Sequence, residues 1–77
     1  MAGIGSDDHA RMVEFELRWY TLGGGPEVEI REQFGVGSAE FFSELATALQ
    51  ENPPRGVSMT VIEDMKRVAR RRCWLAA

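Results

Sequence analysis

Apolar residues recur at three- and four-residue spacing along most of the chain, and the breaks in that rhythm fall at glycines and prolines. Met12, Phe15, Trp19 and Leu22 form the first such stripe, which predicts a helix over about 7–22 with Arg11, Glu14 and Arg18 turned away from the core. Ser6 or Asp7 is placed to cap it, and Asp7 and Asp8 suit the positive end of the helix dipole. Gly23, Gly24 and Gly25 stop it, since glycine weakens a helix and accepts the left-handed backbone of a helix end. Pro26 fits a helical first turn, where its missing N–H has no partner, so a second helix is expected over 26–34.

Gly35 then suits a positive φ, Val36 can plug back into the core, and Gly37 or Ser38 can cap a third helix over 38–50. Phe41, Leu45, Ala48 and Leu49 share one face of it, with Phe42 beside them. Pro53, Pro54 and Gly56 mark 51–58 as a loop. A fourth helix, about 59–75, begins at Ser58 or Thr60, where Thr60 and Glu63 have the spacing of a capping box. Its stripe is Val61, Met65, Val68, Ala69 and Cys73, followed by Trp74 and Leu75. The chain reads as one all-α domain of four helices over 1–77, with no alternating pattern that predicts a sheet.

Ile30, Phe34, Val36, Phe41 and Leu45 have the spacing of a helix-turn-helix core over 26–50: two residues a turn apart, a corner glycine, one plug and the inner face of the next helix. The stretches FELRWYTLGGG (Phe15, Glu16, Trp19, Tyr20 and the glycines) and IREQFG (Ile30 to Gly35), with the paired Phe41 and Phe42 ahead of Leu45, resemble a small actinobacterial helix-turn-helix family of unknown function. That resemblance covers about half the chain. It implies a helical fold of the DNA-binding kind, a regulator of transcription acting on double-stranded DNA, and no catalytic residue. The chain departs from the family pattern at Glu40, where a basic residue is usual, and at Glu44, where an apolar one is.

Charge sharpens this picture. Residues 1–54 hold ten acids against Arg11, Arg18 and Arg31, whereas 55–77 hold Glu63 and Asp64 against Arg55, Lys66, Arg67, Arg70, Arg71 and Arg72. A net charge of −3 therefore hides a strong polarisation. Helix three brings no cation to a phosphate backbone; its outward positions are Ser38, Ala39, Glu40, Ser43, Glu44 and Thr47. If the chain binds DNA, Ser38, Ser43 and Thr47 are the candidate polar contacts. The cations must then come from Arg18, Arg31, Arg55, Lys66, Arg67, Arg70 and Arg71. The alternative is a non-catalytic adaptor that docks Glu40 and Glu44 on a basic protein, and a homodimer through the apolar face of helix four around Met65, Val68 and Leu75 is a third arrangement.

Other chemistry is thin. His9 reads as a lone surface residue, and no Ser, Cys or carboxylate stands with it in a nucleophile–base pattern, so no enzyme activity is expected. Scattered carboxylates do not make a metal site, and no cofactor motif is present. The glycine triplet lacks the Lys and Ser/Thr of a phosphate loop and reads as a connector. Trp19 and Cys73 read as packing residues, with an intermolecular disulfide open to Cys73 if it is exposed. A single cysteine, no signal-like start and no apolar run long enough for a bilayer point to a cytoplasmic protein.

Overall fold

A computed structural model describes residues 6–76, with side chains over 8–75. Four α-helices are present: α1 Ser6–Trp19, α2 Glu27–Phe34, α3 Ser38–Glu51 and α4 Met59–Ala76. A single 3-10 turn, Tyr20–Leu22, follows α1, and the described residues contain no strand. The caps expected at Ser6 and Asp7 involve side chains outside those described.

The central helix is α3, which packs on α1, α2 and most extensively α4. Its face Phe41, Phe42, Leu45, Ala48 and Leu49 is wholly buried, as the spacing predicts. Phe41 joins a ring cluster with Phe15 of α1 and Phe34 of α2, at centroid separations of 5.5 and 5.1 Å. Phe15 meets Phe34 edge-on at 5.7 Å. Edge-to-face rings add to what their buried area supplies, and these three tie the first three helices together. Phe42 turns the other way, towards α4, at right angles to Phe41. There Ile62, Met65 and Ala69 complete the core.

The helix-turn-helix unit is present. Gly35, at φ 73°, closes α2 by donating its N–H to the Arg31 carbonyl at 2.9 Å. Val36 packs against the core, and Gly37 caps α3 from an extended conformation. Pro26 stands just outside α2 as its cap, at ψ 142°, instead of being its first helical residue.

Several expected details differ. Leu22 is 72% exposed: the backbone tightens to a 3-10 turn after Trp19, which rotates Leu22 off the stripe set by 3.6-residue periodicity. Trp19 itself is half-buried against the core. The capping box at Thr60 and Glu63 does not form. Of the two expected starts Ser58 is the one used: its hydroxyl accepts from Val61 N–H at 3.2 Å and α4 begins at Met59, while Glu63 pairs with Lys66 within the helix. Met65 is fully buried and cannot belong to a dimer face with Val68 and Leu75.

Gly23, Gly24 and Gly25 all have positive φ, from 94° to 109°, and Gly24 N–H returns to the Trp19 carbonyl at 2.9 Å. A Cβ on Gly25 would lie 2.6 Å from Phe15 Cε1, whereas one on Gly23 would meet nothing within 4 Å. Gly23→Ala is therefore expected to cost only backbone strain, about 1–2 kcal/mol. Gly25→Ala adds a core clash and should cost about 3 kcal/mol or more. Urea unfolding of the two variants checks this, and equal midpoints would contradict it.

Candidate nucleic-acid interface

The antiparallel packing of α3 and α4 sets the exposed residues of the two helices side by side. Lys66 Nζ donates to Gln50 Oε1 at 3.2 Å at one end, and Cys73 Sγ lies 3.8 Å from the Ala39 carbonyl at the other. With Ile62, Met65 and Ala69 turned inward, α4 shows Arg67, Arg70, Arg71 and Trp74 outward, all exposed and spaced as one helical face. Beside that face runs the outward stripe of α3: Glu40, Ser43, Thr47 and Gln50. Between the helices lies an open groove of about 620 Å³. Phe42, Ala46 and Ala69 contribute apolar lining, and Ser43, Thr47, Arg70 and Trp74 line it as well.

The candidate cations divide sharply in this setting. Arg70 and Arg71 make no ion pair among the described residues, while Arg67 holds Asp64 at 2.8 Å. Lys66 is bound to Glu63 at 3.4 Å with its side chain only 17% exposed, so it is spent within the fold. Arg31 pairs with Glu27 at 3.1 Å. Arg18 lines a separate groove with Glu29 and Gln33, and Arg55 another with His9 and Glu14. The fold thus brings Arg70 to Ser43 and Thr47, sets Arg67 and Arg71 in a neighbouring groove with Tyr20, Thr21 and Gly23 on the other flank of α4, and leaves Arg18, Arg31 and Arg55 on other surfaces. Ser38 is a correction: the residue is 6% exposed and its hydroxyl is buried without a partner, because position 38 falls on the face of α3 that carries Phe41 and Leu45. Thr47 Oγ1 donates to the Ser43 carbonyl at 3.2 Å, which leaves its lone pairs towards solvent.

His9 is not a lone surface residue. Its Nε2 lies 3.0 Å from Glu44 Oε1, joining the first turns of α1 to the middle of α3. That contact engages one of the two carboxylates expected to form an acidic docking surface, and Glu40 alone remains fully exposed. The pairing spans 35 positions, so no local pattern could announce it.

Two further residues escaped sequence reasoning. Arg72 Nη1 donates to the carbonyls of Gly23 at 2.9 Å and Gly25 at 2.8 Å, while its guanidinium lies 4.7 Å above the Phe42 ring. It is a clasp between α4 and the glycine turn, not part of the outward charge. Below this clasp is Glu16, fully buried, with both carboxylate oxygens lacking a hydrogen bond. A helical wheel held the signal: Glu16 stands four after Met12 and three before Trp19, inside the apolar stripe.

Among the described residues, no three His, Cys, Asp or Glu side chains group to hold a metal ion, and no helix is long and apolar enough to cross a membrane. Comparison with protein-family models, curated proteins and solved structures yields no match.

Burial raises the Glu16 pKa from the ordinary 4.5 to about 8, against a smaller lowering by the Arg72 charge. Between those values the unfolded chain releases a proton that the folded chain keeps, so rising pH favours unfolding. The stability contributed by neutral Glu16 is complete below pH 4.5 and lost by about pH 8. Unfolding free energy should fall over that window by an amount on the order of a few kcal/mol. Glu16→Gln should flatten the profile, as read by urea titrations across the range; an unchanged slope would contradict the assignment.

Proposed function

We propose that the chain is a non-catalytic, DNA-binding regulator of the helix-turn-helix type that engages a duplex with the joint face of α3 and α4. The observation that carries this is Arg70, without an ion pair among the described residues, lining one groove with the outward hydroxyls of Ser43 and Thr47, with Arg67 and Arg71 exposed on the same helix. The resemblance to an actinobacterial helix-turn-helix family agrees with it. Helix α3 alone could not hold a phosphate backbone, since Glu40 repels phosphate and no Lys or Arg stands on it. The cations of α4 lead, and α3 meets the duplex as a neutral, hydroxyl-bearing flank. Binding rather than catalysis fits the exposed chemistry, which is guanidinium and hydroxyl, while the single histidine is engaged by Glu44.

Three phosphate contacts from Arg67, Arg70 and Arg71 would give a salt slope of about −2.7, or a loss of affinity of roughly 40-fold for a fourfold rise in salt. Fluorescence anisotropy with a labelled duplex reads this directly. Replacing Arg70 and Arg71 together by alanine should reduce the slope by about two units, and Arg18→Ala should leave it unchanged. Glu40→Lys should strengthen binding. A wild-type chain that ignores duplex DNA at low salt overturns the reading.

A further inference from the structure

We infer that the α3–α4 groove receives one unpaired nucleobase, stacked on Trp74 and held at its edge by Ser43 and Thr47, while Arg70 takes the adjoining phosphate. The inference rests on the DNA-binding reading and names what that face selects. Trp74 is 79% exposed, an unusual position for the largest apolar side chain, and it stands on the same outward face as the arginines. Its indole lines the groove, and Phe42, Ala46 and Ala69 add apolar surface there.

A nucleobase matches that lining in chemical kind: flat apolar faces for an aromatic surface, and donors and acceptors around its edge for hydroxyls. The Ser43 hydroxyl can donate or accept. That of Thr47, its proton committed to the Ser43 carbonyl, accepts only. A base within a duplex hides its faces in the stack, so only an unpaired one can offer a face to Trp74. Charge complementarity favours this occupant over an apolar peptide, because Arg70 lines the groove as its one cation and no carboxylate lines it.

The test compares a fully paired duplex with the same duplex carrying an unpaired thymine bulge, each labelled and titrated with the full chain. The bulged duplex should bind about tenfold more tightly and quench tryptophan emission. Trp74→Ala should remove that gain while leaving affinity for the paired duplex within twofold, and Trp74→Phe should keep most of it. Circular dichroism confirms that both variants fold. Equal affinity of the wild type for the two duplexes, or a full gain retained by Trp74→Ala, overturns the inference and leaves the phosphate-binding reading standing. No binding to either duplex overturns both.

Discussion

The contact between Arg72 and the glycine turn sets the position of everything that follows it. A guanidinium that donates to two carbonyls and lies over an aromatic ring is fixed in direction as well as in distance. The missing Cβ at Gly24 leaves room for that approach: one there would press on Val68, Arg72 and Phe42 at 3.0–3.1 Å. Three consecutive glycines would ordinarily leave a connector loose. Here a side chain from a helix nearly fifty positions away anchors them. With that anchor in place, α4 lies along α3 and Arg70 falls beside Ser43 and Thr47.

Burying Glu16 beneath this anchor is costly, and nothing donates to its oxygens. The acid is stable there mainly in its neutral form. Arg72 is close enough to favour the ionised form, yet its Nη1 is directed to the glycine carbonyls, so a tight ion pair is not made. The same guanidinium thus organises the turn and moderates the acid beneath it without satisfying either oxygen.

Helix existence and most of the core were legible in the sequence, because periodicity and glycine placement are local signals. Phe41, Phe42, Leu45 and the Gly35 corner stand where their spacing predicts. What was hidden arises from long-range contacts. Leu22 leaves the core because the 3-10 turn changes the period, Ser38 falls on the face of α3 that carries Phe41 and Leu45, and Met65 is claimed by the chain's own core. His9 and Glu44, like Arg72 and the glycines, meet across distances that no window of residues spans. For the candidate interface, sequence supplied the cationic run on α4 and the hydroxyls on α3. Only packing could separate Arg70 and Arg71 from Lys66, Arg31 and Arg72, which the fold has already engaged.

The separation of charge along the chain has its own physical result once α4 is fixed. Glu27, Glu29 and Glu32 belong to α2, while Arg67, Arg70 and Arg71 belong to α4, and both helices pack on α3. Such a molecule carries a permanent electric moment in addition to its net negative charge. In the field of a polyanion such a moment experiences a torque before contact, which turns its positive end forward. For the proposed duplex binding, this makes the rate of encounter depend on ionic strength through orientation as well as through attraction.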